Sequence, residues 1–174
     1  MMAAVYILAL NWWSYSPDLG LHLDCSVWKI PKWERSLRKR LAWALFMQYK
    51  WEALIHGRPS LIHREDWAVR PVETRDFPET AQDDDNEEGS SEIEKGRLTF
   101  VYLILLTDVL ADILEVFFTL RSTNELEAER ENAMTITLEK ANPIQLRLKE
   151  WYSTLPDILA VSRRKQESSL QHVS

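Results

Sequence analysis

The sequence predicts an all-α fold, an irregular helical bundle, on three observations. Hydrophobic residues make up 45% of the 174-residue chain, well above what disordered chains carry. Only four glycines occur, too few for the many tight turns of an all-β architecture. The apolar residues in the longest segments recur at spacings of three and four, the signature of a helix face. A chain of this size buries roughly 70% of the surface its unfolded form exposes, which makes one domain the expectation. Its boundaries are read as 1–160, with an acidic flexible loop at 79–96 and a disordered tail at 161–174.

Charge is distributed in opposed blocks. Net charge is −6, yet residues 29–64 carry nine Lys and Arg against Glu34 and Glu52, while residues 79–94 carry eight acids and no base. Such blocks satisfy each other before either meets a partner. Cys25 is the single cysteine, which excludes an internal disulfide framework and a thiolate-rich zinc site. An intracellular, reducing compartment is therefore expected. The opening MMAAVYILALNWWS has no basic region ahead of its apolar run and no small-residue cleavage pattern, so a signal peptide is not expected.

Residues 1–23 read as a helix interrupted near SPD, where Ser16 caps and Pro17 opens a second short helix, PDLGLHL. DCSVWKIP is a connector, because the residue before Pro31 is pushed out of helical geometry. A long helix is then predicted from Pro31 to His56, with Gly57 as its left-handed stop and Pro59 barring continuation. On the helical wheel Trp33, Leu37, Leu41, Ala44, Gln48, Trp51 and Ile55 share an arc of about 80°, which predicts a stripe facing the core. LIHREDWAVRPVETRDFPET has little periodicity and reads as an irregular connection anchored by Trp67, Val69 and Phe77. The acidic stretch that follows repels itself and buries nothing.

A nearly buried helix is expected over 98–120, LTFVYLILLTDVLADILEVFFTL. Its uncharged run falls short of the ~20 apolar residues that span a bilayer, and Asp108, Asp112 and Glu115 lie within about 60° of each other as one wet stripe. No membrane partner is expected. Ser122, Thr123 and Asn124 close that helix, a further amphipathic region follows, and Pro143 is placed in the first turn of a last helix whose stripe is Ile144, Leu148, Trp151 and Leu155.

Chemistry-bearing residues are sparse. His56, His63 and Asp66 are the one conceivable catalytic set, but a helix stop and a proline turn separate the histidines, and that spacing fixes no shared geometry. His56 near a helix end and His63 on the surface is the plainer reading. No glycine-rich phosphate loop exists. Arg35, Arg38, Lys39 and Lys50 lie opposite the apolar stripe. They form too short a row for more than weak, salt-sensitive phosphate binding, so they are read as a solvated face, a partner surface or a counter-charge for the acidic loop. Gly57, Arg58, Pro59 and Ser60 are read as a helix-terminating motif. Ser91, ahead of Glu92 and Glu94, suits an acid-directed kinase.

The run LGLHLDCSVWKIPKWERSLRKRLAWALFMQYKWEALIHGRPSLI, followed by DWAVRPV, DFPE and EEGSSEIEKGR, resembles the regulatory middle-homology region of fungal zinc-cluster transcription factors. It is similar above all to the subgroup that co-activates nitrogen-catabolic genes, over residues 19–160. The resemblance implies a non-catalytic helical regulatory domain in the nucleus, acting in transcription by RNA polymerase II through protein co-regulators or a second copy. In that family a six-cysteine zinc cluster reads DNA, and this chain has Cys25 alone. We therefore expect a truncated member, incomplete at its N-terminal side, with no cofactor and no specific DNA binding of its own. An adaptor competing with the full-length regulator is the alternative.

Overall fold

The computed structural model describes residues 18–78 and 87–159. Among them are four α-helices and no strand: α1 (Lys32–Ile55), α2 (Glu87–Phe117), α3 (Leu120–Ala128) and α4 (Ala133–Thr154). Two 3-10 turns, Arg64–Asp66 and Thr74–Asp76, punctuate the connection after α1. The expected segments at 1–17, 79–86 and 160–174 lie outside the described residues. The single domain expected over 1–160 divides into two compact units, one taking 18–49 and 60–78, the other Lys50–Pro59 and 87–159. The division cuts α1 after Tyr49.

The first unit is organised around α1, and α1 faces the opposite way to the prediction. Ala42, Trp43, Phe46 and Tyr49 are the buried positions, whereas Trp33, Leu37 and Leu41 are 68%, 37% and 45% exposed. Both sets repeat at three and four, so spacing alone does not choose between them. Polar contacts choose. Lys39 Nζ bonds Asp76 Oδ2 at 2.7 Å, with 11% and 8% of the two side chains exposed. A carboxylate removed from water needs a cation and further donors. Asp76 also accepts from the Glu73 N–H at 2.8 Å and from the Ser36 hydroxyl. Turning Lys39 inward carries Ala42, Trp43 and Phe46 inward with it.

Those rings meet the irregular connection. Trp43 and Phe46 pack on Trp67 at centroid distances of 5.7 and 5.1 Å, and the Trp43 indole donates to the Arg70 carbonyl at 2.9 Å. Val69 and Val72 are buried beside this cluster's strand-like stretch, as is Ile62. Upstream, PDLGLHL is not helical. Gly20 adopts φ 62, and a Cβ there would lie 3.0 Å from the Trp28 ring, so the chain turns and 18–23 forms turns. Arg35 donates to the Ser26 and Trp28 carbonyls, and Ala68 donates to His22 at 2.9 Å, closing the unit.

α1 ends in a Schellman motif. Arg58 N–H bonds Ala53 O at 3.0 Å, Gly57 N–H bonds Leu54 O at 3.1 Å, and Gly57 takes φ 57; these are the two bonds and the left-handed residue that satisfy the last carbonyls of a helix.

In the second unit Ala53, Leu110 and Leu114 form a buried cluster, with Leu54, Ile113 and Phe118 packed on it. The Trp51 indole donates to Thr107 Oγ1 at 3.0 Å. α2 begins at Glu87, so residues 87–96, expected in a loop, are helical. Acids in its first turns favour the positive end of the helix dipole, which offsets their mutual repulsion. It ends at Phe117, and Ser122, Thr123 and Asn124 belong to α3, whose first turn is capped by the Thr119 hydroxyl accepting from Ser122 N–H at 3.3 Å. Pro143 sits inside α4 rather than at its start. Its missing N–H frees the carbonyl of Glu139, an exposed residue, where water replaces the lost bond. The acid stripe is covered by Arg147, which pairs Asp108 at 2.9 Å and also Asp112. Trp151 donates to the Tyr102 carbonyl at 3.0 Å and Tyr102 donates to Thr154 O at 2.6 Å, a reciprocal tie between α2 and α4. Lys140 and Arg121 converge on Glu125 and hold its carboxyl below the usual carboxylate range.

Asp76→Ala leaves Lys39 buried without its partner and is expected to cost about 3–5 kcal/mol in urea unfolding. In a double-mutant cycle with Lys39→Met the two losses fall short of additivity by about 1–3 kcal/mol, whereas additive losses would show that the pair does not couple. Gly57→Ala meets no atom but strains the left-handed backbone, at about 1–2 kcal/mol; calorimetry should show a lower Tm. The Asp24 carboxyl, bonded above all by the Ser26 hydroxyl and also facing Arg70, sits below its ordinary value. Its stabilisation is present above the unfolded pKa and lost as pH falls through the lower folded one. Ser26→Ala should raise the Asp24 pKa in an NMR carboxyl titration and move that loss to higher pH.

Candidate interaction surface on the first helix

Four basic residues on α1 were candidates for a solvated or partner-facing row, and none of the four stands free of the fold. Arg35 is half-buried on the two carbonyls of the 24–30 connector. Arg38 bonds Glu34 at 3.3 Å and the Leu19 carbonyl at 2.9 Å, with its guanidinium 5.1 Å from the centre of the Trp28 ring. Lys39 is paired with Asp76. Lys50 is 1% exposed, a burial that a charged ammonium tolerates only among partners. Lys39 therefore acts as a counter-charge, but for Asp76 and not for the acidic stretch. Arg40, a fifth base, lies over Phe77 at 6.0 Å and its Nε is buried without a partner.

What α1 offers outward is apolar: Trp33, Leu37 and Leu41, succeeded by the half-buried Ala44. Sequence reasoning placed this stripe in the core. The signal that would have reversed it is the second set at three-and-four spacing, Lys39, Ala42, Phe46 and Tyr49, which contains a base and was discounted for that reason.

A cleft of about 460 Å³ lies in the first unit, lined by residues that include His22, Leu61, His63, Asp66 and Trp67. It brings His63 and Asp66 to one rim, where both are exposed. Their link is main-chain, Asp66 N–H to His63 O at 3.2 Å. His56 belongs to the other unit. The Nδ1 of His22 and the Nε1 of Trp67 are buried without partners; being sealed from water, they do not open onto the cleft. No nucleophile, base and orienting group converge there as hydrolytic chemistry requires. Among the described residues no three His, Cys, Asp or Glu gather to hold a metal ion. Cys25 is buried and its thiol donates to the Arg35 carbonyl at 3.6 Å, so the residues present do not fit a thiolate zinc cluster.

Gly57, Arg58 and Pro59 close α1, and the unit boundary falls between Pro59 and Ser60. The Ser60 hydroxyl accepts from Ile62 N–H at 3.2 Å, turning the chain into the connection. Ser91 falls in the early turns of α2, and its side chain lies outside the described residues. No described helix is long and apolar enough to cross a membrane.

The sequence matches the fungal specific transcription factor domain over residues 14–153. It is 30% identical to the transcriptional activator protein DAL81 of Saccharomyces cerevisiae over 196 aligned positions, covering 90% of this chain and 19% of that protein. It is 36% identical to an uncharacterized transcriptional regulatory protein of Schizosaccharomyces pombe over 106 positions, covering 60% of this chain and 14% of that protein. The chain thus spans about a fifth or less of the length of these relatives. No solved structure matches it. The match covers most of the chain, its helical architecture agrees with the fold that its motifs imply, and both relatives are regulators of transcription: the chain belongs to the fungal specific transcription factor domain family.

Proposed function

We propose that this chain is a non-catalytic regulatory domain that acts in the nucleus on transcription by RNA polymerase II, through protein partners, in the control of nitrogen-catabolic genes. The observation that carries this reading is the family match over 14–153 together with the identity to a transcriptional activator. The geometry supports it from a second side. The cations of α1 are spent on the chain's own carbonyls and on Asp76, so phosphate contacts would have to break the fold that presents them. DNA reading and its zinc are assigned to parts of the regulator outside this domain, and this chain is taken to need no cofactor. Phosphorylation at Ser91 would add negative charge near the start of α2, where the helix dipole favours it.

Tethering tests the proposal. Fused to a heterologous bacterial DNA-binding domain in a fungal host, the chain should change transcription of a reporter bearing the cognate operator, and the change should depend on nitrogen source. In mobility-shift assays the chain alone should show only weak binding that disappears with added salt. Tight, sequence-selective binding by the isolated chain would overturn the reading. Repression of a native nitrogen-responsive promoter by the untethered chain would favour instead a competitor of the full-length regulator.

A further inference from the structure

The exposed face of α1 in the first unit, Trp33, Leu37, Leu41 and Ala44, bears no charged side chain and extends about 17 Å at 1.5 Å per residue. A contiguous apolar patch that large calls for an occupant. The same unit shows where one arrives. The Leu19 carbonyl is held by Arg38 Nη1 at 2.9 Å, one position along the helix from Leu37, and Gly20 turns the chain there with φ 62. The stretch that precedes Asp18 therefore emerges beside the stripe. That stretch, residues 1–17, has no charged side chain, and Ala3 to Leu10 is an unbroken run of hydrophobic residues followed by Trp12 and Trp13. Leu19 and Leu23, exposed beside the tether, extend the apolar surface toward it.

We propose that residues 3–13 of this chain dock on the Trp33–Leu37–Leu41 face of α1, folding back from the Leu19–Arg38 tether to cover it. Length permits it: eleven residues span about 17 Å even when fully helical, matching the stripe. Chemistry favours this occupant over a charged partner, since neither surface offers an ion to pair. Tethering favours it over a second copy, because a segment fixed within a few residues of its target works at an effective concentration that dilute partners do not reach. The inference is independent of the regulatory role proposed above and would stand if that role failed.

Photo-crosslinking on the full chain tests it. With p-benzoylphenylalanine in place of Leu37, and separately of Leu41, irradiation should give a monomeric product whose crosslinked peptide maps to residues 3–13, in a yield that does not change with protein concentration. Ile7→Asp combined with Leu10→Asp should lower that yield about tenfold or more, the loss expected when two large apolar side chains no longer enter the contact. A crosslinked dimer growing with concentration would assign the face to a second copy and overturn the proposal. Failure of both photo-residues to reach 1–17 would overturn it as well. Circular dichroism on each variant separates loss of docking from loss of the helices.

Discussion

The buried carboxylate of Asp76 sets the orientation of the helix on which the first unit is built. A carboxylate that is 6% exposed is kept ionised only by a cation and by donors aimed at it, and the cost of supplying fewer is several kcal/mol. Lys39 supplies the cation, Ser36 and the Glu73 N–H the remaining donors. Three of these four groups are separated by 36 or more residues from Ser36 and Lys39, or lie in the turn at Thr74–Asp76 that Asp76 itself closes. One polar contact thus fastens the end of the irregular connection to the start of α1. It also fixes which of two apolar stripes points inward. Once Lys39 is turned in, Trp43 and Phe46 can receive Trp67, and the Trp43 indole finds the Arg70 carbonyl. The aromatic cluster follows from the ion pair rather than determining it.

The second unit solves a similar problem with different means. α2 carries Asp108 and Asp112 one turn apart, a repulsive pair if left alone. The planar guanidinium of Arg147 spans both, a geometry that lysine's single ammonium does not offer. Trp151 and Tyr102 then exchange donors with carbonyls on each other's helices, fastening α2 to α4 beyond the apolar contacts. Pro143 survives within α4 because the carbonyl it orphans belongs to an exposed residue. In both units the polar contacts specify register and orientation, while the apolar residues supply the bulk of the burial.

This division explains what was legible in the sequence. Local rules worked where the cause was local: Gly57 terminates α1 because only a left-handed residue completes the two closing bonds, and Trp67, Val69 and Phe77 anchor the connection. They failed where the cause lay far along the chain. The partner of Lys39 is 37 residues away, and nothing in the spacing of α1 announces it. A lysine in an apolar row read as a reason to turn that row outward, and the same lysine turned out to be the reason it turns in. Gly20 was invisible for a related reason. Its left-handed turn against the Trp28 ring depends on a tertiary contact, so PDLGLHL, with proline and aspartate well placed for a helix start, read as a helix. Of the candidate catalytic set, the histidines' poor spacing was legible, and their separation into two units has the same origin in the stop at Gly57.

The use made of the basic residues bears directly on how a domain of this family works. Counted along the sequence, nine bases in 29–64 suggest an attraction to nucleic acid. In the fold, Arg35 and Arg38 hold backbone carbonyls, Lys39 holds Asp76, and Lys50 is enclosed. A phosphate would have to compete with groups already in contact at about 3 Å, and the competition would expose a buried carboxylate. Counterion release rewards cations that are free and hydrated, because only those carry displaced phosphate charge at no structural cost. Cations committed to the fold forfeit that reward. Positive charge here is therefore a stabilising and orienting element, and the contact surface left to α1 is its uncharged side. A regulatory domain built in this way meets other molecules through shape and apolar area, and it leaves the reading of DNA to parts of the protein whose charges are not already in use.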